Sequence, residues 1–384
     1  MKGKDPDRLR SLVFLAFGVF SLNFAFAIYG STYTNFLVNE LGIEAFQIGV
    51  LESIREVPGL LTAFILGPML HFTQPLLASL FLMVFGLGMC GVSTVSDWVQ
   101  VVFWSVIWSV GFHCWNPIRS SITLGLSEEK EEGRRLGQMN SVASIAGMVA
   151  MAFVAIFSSL TAMSYRLFFI IGGLISVAGS LVVFRIRLKH ESFRRTRLVF
   201  RRQYSIYYTL NFLEGARRQI FLTFAPFALV KVYGLNVTVI ALLMFVSRVL
   251  TFFSSPYLGK LVDKVGPRLV LTVSYVLMIG NFLGFAYIHD VYVLLFLYVL
   301  NSILMVVSYI SQTTYINELS PITDLVPSLA MGQTMNHIAA VALPLTGGIM
   351  WDVFGYEATF FIGVAVALCS LITTQGIRPK RVLE

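Results

Sequence analysis

The sequence predicts an all-α polytopic membrane protein, with twelve transmembrane helices in two pseudo-symmetric six-helix bundles, and three observations carry that prediction. Hydrophobic residues fill 57% of the 384 positions and charged residues only 12%, against about 25% charged in an ordinary soluble domain. The apolar runs are long and do not alternate, which fits helices of about 20 residues and not the alternating strands of a membrane barrel. Finally, the chain repeats itself: Leu37-Val38, Gly42 and Leu66-Gly67 return 192 positions later as Leu229-Val230, Gly234 and Leu258-Gly259. Gly137-Gln138 likewise returns as Gly332-Gln333, with an asparagine shortly after each.

Apolar runs between charged or Gly-, Pro- and Asn-rich breaks give the spans in order. The first, 12–38, follows a basic start; it is too long for a signal-peptide core and no A-x-A cleavage site follows, so it is read as a retained helix. The next five run over 48–70, 75–95, 99–124, 136–160 and 167–184. A basic segment, 185–204, then separates an N-terminal bundle, 1–184, from a C-terminal one, 205–384. The second set spans 205–230, 237–258, 269–288, 291–315, 326–350 and 359–377.

Positive charge orients this series. In a twelve-span arrangement, the segments 2–10, 130–135, 185–202, 260–268 and 378–381 hold twenty-one Lys and Arg, and the opposite loops hold only Arg166 and Lys231. The positive-inside rule then places both termini in the cytoplasm. The expected location is a plasma membrane, of the bacterial or archaeal inner-membrane kind. The net charge of +8 is accounted for by these juxtamembrane loops, so no nucleic-acid partner is invoked.

Seven charges sit where hydrocarbon should be: Glu52, Arg55 and Glu56 in the second span, Glu214, Arg217 and Arg218 in the seventh, and Arg248 in the eighth. A charge at a bilayer centre costs at least about 2.5 to 3.5 kcal/mol, so such groups face protein or a water-filled cavity. At 1.5 Å per residue, Glu214 lies about 14 Å and Arg218 about 20 Å from one boundary, with Arg248 about 16 Å from the other. Local pairing is the competing explanation, because Glu214 stands three and four residues before Arg217 and Arg218, and Glu52 three before Arg55. If Glu214 is satisfied by one of those arginines alone, the cluster is structural.

Neutral polar groups add less. Asn211 shares a helical face with Glu214 and Arg218, and Asn301, Ser302, Ser308, Tyr309 and Gln312 are placed on one face of the tenth span. Tyr29, Tyr33, Trp104, Trp108 and Trp115 could line a cavity, although ordinary packing explains them. Arg119, near a membrane boundary, reads as a snorkelling anchor, and His337 as a hydrogen-bonded structural residue. Gly86, Gly88 and Gly91 spell G-x-G-x-x-G inside a span with no strand before it, so they are read as close-packing residues and not a nucleotide site. Cys90, Cys114 and Cys369 fall in separate spans and suggest neither a disulfide nor a metal framework. No P-loop, H-E-x-x-H or C-x-x-C pattern occurs. No enzyme activity, cofactor or metal is expected.

The segment Gly259-Lys260-Leu261-Val262-Asp263-Lys264-Val265-Gly266-Pro267-Arg268 resembles the G-x-L-a-D-r-x-G-x-R loop motif of the major facilitator superfamily. That resemblance implies the major facilitator fold, with a site at the midplane between two six-helix repeats. It also implies a gating latch at Gly259, Asp263, Gly266 and Arg268. The first-half counterpart, Gly67-Pro68-Met69-Leu70-His71-Phe72-Thr73-Gln74, lacks the Asp and the basic residues. In this family the third, sixth, ninth and twelfth helices face lipid, and those spans here carry no Asp, Glu, Lys, Arg or His in their interiors. The G-P-x-x-G-G motif of drug/proton antiporters is absent from the fifth span, and only a partial version, Pro344-Leu345-Thr346-Gly347-Gly348, lies in the eleventh.

The expected function is secondary transport of a small solute by alternating access, coupled to protons. Four arginines against three glutamates leave one positive charge in excess, which favours an anionic or zwitterionic substrate held by Arg55, Arg217, Arg218, Arg248 and Asn211. Glu214, then Glu56 and Glu52, are the candidate proton carriers. The alternatives are a drug/proton antiporter, a lipid flippase of the same fold, and a non-transporting sensor or assembly partner. The expected partners are substrate, protons and the lipid bilayer, with the chain acting as a monomer. One consequence of the charge bias is testable. A cysteine at Ser192 should resist a membrane-impermeant thiol reagent in intact cells while one at Asn236 reacts, and the opposite labelling overturns the topology.

Overall fold

A computed structural model of the chain describes residues 6–128, 131–188 and 200–377, without the side chains of 322 and 323. Most of the basic 185–204 segment, Ser192 within it, lies outside the described residues, as do Lys2, Lys4, Lys130, Arg378, Lys380 and Arg381. Among the described residues there are twelve α-helices and no strand. They are α1 (Pro6–Asn39), α2 (Ala45–Leu66), α3 (Gln74–Val92), α4 (Trp98–Gly125), α5 (Glu132–Leu160) and α6 (Tyr165–Val183), then α7 (Ser205–Lys231), α8 (Val237–Val265), α9 (Pro267–Tyr287), α10 (Val291–Leu319), α11 (Ile322–Phe354) and α12 (Tyr356–Thr374). Nine are long and apolar enough to cross a membrane by length and composition. The other three, α2, α4 and α7, carry Glu52, Arg55 and Glu56, then His113 and Arg119, then Glu214, Arg217 and Arg218. These charged and polar residues lower their hydropathy.

Several helices run past the apolar spans that announce them. The largest departure is at the family motif, where the expected loop 259–268 is almost wholly helical: α8 continues to Val265 and α9 begins at Pro267. Only Gly266, at φ +83°, stands between them. A polar helical extension needs no apolar residues once it leaves hydrocarbon, so hydropathy does not register it.

The helices fall into two compact units. One contains Met1–Gly42, Val57–Arg194 and Asn236–Phe245, and the other Ile43–Glu56, Arg195–Leu235 and Val246–Glu384. In the first, α1 packs on α5 and α6, and α3 on α4 and α6; in the second, α7 packs on α11 and α12, and α9 on α10 and α12. Each pairing recurs six helices later, which is the pseudo-symmetry expected from the sequence repeat. The turn glycines repeat as well, since Gly42 (φ +62°) and Gly234 (φ +67°) both adopt the left-handed conformation. After α7 the reversal is closed by Leu235 N donating to Leu229 O at 3.0 Å, a glycine C-cap of the common kind.

The G-x-G-x-x-G glycines of α3 are packing residues. A Cβ on Gly88 would stand 2.5 Å from the Trp108 backbone nitrogen, and one on Gly86 2.7 Å from the Gly173 carbonyl. Trp108 and Trp115 are fully buried, Tyr29 and Tyr33 nearly so, and the Tyr33 hydroxyl meets Ser105 Oγ at 2.7 Å. These rings are buried in the core of the first unit. Trp104 differs, lining an apolar groove of about 520 Å³ with Leu87, Cys90 and Ile107.

Gly42→Ala and Gly234→Ala meet no neighbour within 4 Å, so each should lose only the left-handed backbone term, about 1 kcal/mol. Gly88→Ala, which must separate two helices, should lower the thermal unfolding temperature in detergent by clearly more than either.

Candidate functional site

All seven intramembrane charges belong to the second unit, because the start of α2 packs there with α7 and α11. Small residues permit that approach. A Cβ on Gly49 would strike the Pro344 carbonyl, and one on Gly348 would stand 2.5 Å from the Ala45 carbonyl. Polar contacts then fix the register: the Phe46 amide donates to Asp352 Oδ2 at 3.2 Å, and the Leu345 amide to Ser53 Oγ at 3.0 Å.

The charges sort into three groups. On α2, Arg55 bridges two carboxylates, with Nη2 2.5 Å from Glu52 Oε2 and 2.7 Å from Glu56 Oε1. Glu52 also accepts from Gln219 of α7 at 3.2 Å. Glu56 Oε2 lies 3.2 Å from His337 Nδ1 of α11, and the other ring nitrogen of His337 lies 3.0 Å from Gln333 Nε2. All four ionisable groups are buried. The trio on α2 thus sets two carboxylates against one guanidinium.

On α7, Glu214 pairs with Arg217 and accepts from Gln312 of α10 at 3.3 Å. Arg217 is 1% exposed; it donates to Ser370 of α12 at 3.3 Å and lies 4.8 Å over the Tyr275 ring of α9. This pair is neutral as a whole and engaged with three neighbouring helices, although Arg217 Nε is buried without a hydrogen bond. Local pairing, one of the two readings the spacing allows, holds for Glu214 and Arg217.

The third group is cationic. Arg218, next in sequence to Arg217, is half-buried; its Nη2 donates to the Asn336 side-chain oxygen at 2.9 Å, and its Nε is buried without a hydrogen bond. Asn336 in turn donates to the Asn211 carbonyl at 3.3 Å, while the Asn211 side chain donates to the Tyr207 carbonyl at 2.9 Å. A Cβ on Gly215 would collide with the Asn336 backbone, so this glycine is what lets α7 and α11 bring Arg218 and Asn336 together. Arg248 is exposed on α8, with no ion pair among the described residues. The structure does not bring it to the other charges.

Other expectations sort in the same way. Asn301, Ser308 and Gln312 are buried along α10, but Tyr309 is 70% exposed and Ser302 half-buried, since both lie about 80 to 100° around the helix from Asn301. Asp263 is exposed, Gly259 sits within α8, and Arg268 donates to Gln375, the residue capping the end of α12, at 3.3 Å. Sequence reasoning missed Gln219, which directly follows Arg217 and Arg218, and Gln333, one helical turn before His337; that proximity to charge is a usable signal.

A family model described as Major Facilitator Superfamily matches residues 15–203 and 207–381. Among solved structures, a mutant of the nucleoside transporter NupG superposes with a TM-score of 0.82 at 12% identity, covering 96% of this chain and 100% of that one. NupG without that mutation gives 0.76 at 15% identity, with coverages of 97% and 98%. A bacterial homologue of the human lysosomal transporter Spinster, in an inward-facing and unoccupied conformation, gives 0.75 at 14% identity, with coverages of 97% and 96%. No curated protein matches by sequence.

Glu214→Gln should destabilise the protein strongly, because removing one member of a buried pair costs about 3 to 5 kcal/mol, whereas Glu214→Leu combined with Arg217→Met should recover most of that. Thermal unfolding in detergent checks both. Equal loss in the single and double variants would contradict a self-contained pair.

Proposed function

The chain belongs to the Major Facilitator Superfamily, and from that premise we propose a proton-coupled secondary transporter whose substrate is a small anionic or zwitterionic solute. Membrane insertion and transporter function follow from the family. Substrate class and coupling are argued from this chain's own charges, since likeness at 12 to 15% identity extends to fold alone, and nucleoside transport is NupG's property.

The observation that carries the substrate class is Arg218. A guanidinium remains charged throughout the accessible pH range, and here it faces an amide oxygen with Nε unused. A carboxylate or phosphate would satisfy the fork bidentately and neutralise it. Arg217 is excluded from this role by its engagement with Glu214, and Arg55 by its two carboxylates.

Coupling is assigned to Glu56 with His337, ahead of Glu214. Glu214 already has a full counter-charge and an amide donor, so a proton there would break a satisfied pair. Glu56 and His337 instead belong to a group with two carboxylates against one guanidinium, where a carboxylate oxygen and an imidazole nitrogen 3.2 Å apart can share one proton. Protonation makes the α2 group neutral, and the conformation that best tolerates a neutral group gains population. Glu52 is a second, weaker carrier because Arg55 and Gln219 both hold it.

We assign the gating role to the segment containing Gly259, Asp263, Gly266 and Arg268, the linker role to residues 185–204 between bundles 1–184 and 205–384, and a cytoplasmic position to both termini. The chain is taken to act as a monomer in a plasma membrane.

Proteoliposomes test the proposal with a panel of radiolabelled carboxylates, amino acids and phosphate esters. At least one should accumulate when a proton gradient is imposed. Arg218→Gln should abolish that transport while the unfolding temperature stays within a few degrees. Glu56→Gln should remove the response to the gradient yet retain exchange of internal for external solute. Undiminished transport by Arg218→Gln, or accumulation of cations alone, would refute the substrate class.

A further inference from the structure

The apolar groove of the first unit has no charged residue in its lining. Val84, Leu87 and Thr94 form its wall on α3 and the segment just beyond, Trp104 and Ile107 its wall on α4, and Gly91 its floor. The glycine is required there, because a Cβ on Gly91 would collide with the Trp104 indole. With no side chain between them, the indole lies against the α3 backbone and flanks a furrow that stays open, with Leu87 51% exposed on its rim.

The dimensions select an occupant. α3 runs from Gln74 to Val92, so Val84 stands near its middle and Thr94 just past its end. Between those two residues the groove extends about 15 Å, half the roughly 30 Å thickness of bilayer hydrocarbon. It matches the depth of one leaflet, on the side where α1 and α3 end. Arg166 ties those two ends together, pairing with Glu40 at 2.9 Å and donating to the Ser93 and Val95 carbonyls at 2.8 Å. The volume, about 520 Å³, is more than three times the roughly 150 Å³ of an apolar cavity that holds one benzene, which scales to about twenty carbon atoms. A partner helix would need the full membrane thickness, twice the length of this groove. Left unfilled, the lining forfeits dispersion contacts, and packing of that kind is what drives association within a bilayer.

Polar groups at the end of the groove are already engaged. The Thr94 hydroxyl donates to the Gly91 carbonyl at 2.8 Å, and Asp97 accepts from the Gln100 amide at 2.9 Å and its side chain at 2.7 Å. Arg166 is the one Lys or Arg among the described residues at this end of the unit, and it is held by Glu40 and two carbonyls. A lipid phosphate finds no free cation there, so recognition falls to the hydrocarbon chain.

We propose that the α3–α4 groove binds one acyl chain of a membrane phospholipid, selecting for chain length and not for headgroup charge. The bound lipid completes the packing of the first unit and stabilises it, whatever solute the protein carries.

The test uses the full-length protein purified in mild detergent, with dioctanoyl and dipalmitoyl forms of phosphatidylcholine and phosphatidylglycerol as probes. Native mass spectrometry should show a retained phospholipid. Thermal unfolding should shift upward saturably with either dipalmitoyl lipid, the two headgroups differing by less than about twofold in apparent affinity, and dioctanoyl lipids should bind about tenfold or more weakly because fewer methylenes are buried. Leu87→Trp, which fills the groove from its exposed rim, should weaken dipalmitoyl binding about tenfold while the lipid-free unfolding temperature stays within a few degrees. Should that variant not fold, Ile107→Trp obstructs the groove from the other wall, and the chain-length dependence of the wild type decides by itself. Full affinity in whichever of these variants folds would overturn the inference, as would wild-type binding that follows headgroup charge and not chain length. A wild type that neither retains nor responds to phospholipid would do the same, and so would a dimer that Leu87→Trp dissociates, which would put a second copy of the chain on this face.

Discussion

Charge placed among hydrocarbon must find its counter-charge within protein, and the interior of the second unit is arranged around that requirement. Three glutamates are each held by an arginine close in sequence, yet none of the pairs is only local: Gln219, Gln312, Ser370, Tyr275 and His337 reach in from other helices. An ion pair on one helix thereby becomes a junction among several. Replacing such a pair by apolar residues is commonly harmless to stability, so a chain that keeps two of them side by side has a use for charge that stability alone does not supply. The two groups differ in balance, one pairing a single carboxylate with a single guanidinium, the other two carboxylates with one guanidinium.

The family fold supplies the frame for this division, but the two repeats do not share it equally. The first unit is built from aromatic rings and glycine contacts around Trp108 and Trp115, and its membrane interior has one arginine and no described carboxylate. Among the described residues, the second holds every buried carboxylate of the spans. The turns repeat at Gly42 and Gly234 and the helix pairings repeat six helices apart, so the repeats share backbone architecture and differ in where their charged side chains lie.

Much of this was legible in the sequence. Hydropathy located twelve helices because the membrane imposes length and composition together, and the isolated charges marked α2 and α7 because nothing else tolerates them there. What hydropathy could not supply was helix length beyond the hydrocarbon, which is why the motif segment looked like a loop and is instead the end of α8. Partnership between distant helices was also out of reach. Glu56 and His337 are 281 positions apart, and no periodicity connects them. Spacing did offer two partners for Glu214, three and four residues on. Only packing chose Arg217, and so left its neighbour Arg218 available.

The contact of α2 with α11 has a mechanical consequence. Where Gly49 meets Pro344 and Gly348 meets Ala45, backbone lies against backbone with no side chains interlocked. Such a surface is smooth, and movement of one helix along the other meets few steric barriers there. The register is held instead by a row of polar pegs: the Phe46 amide on Asp352, Ser53 on the Leu345 amide, and Glu56 on His337. Two of the three involve an ionisable group, the Asp352 carboxylate and the Glu56–His337 pair. The helix pair therefore resembles a rail held by detents, two of which carry ionisable groups.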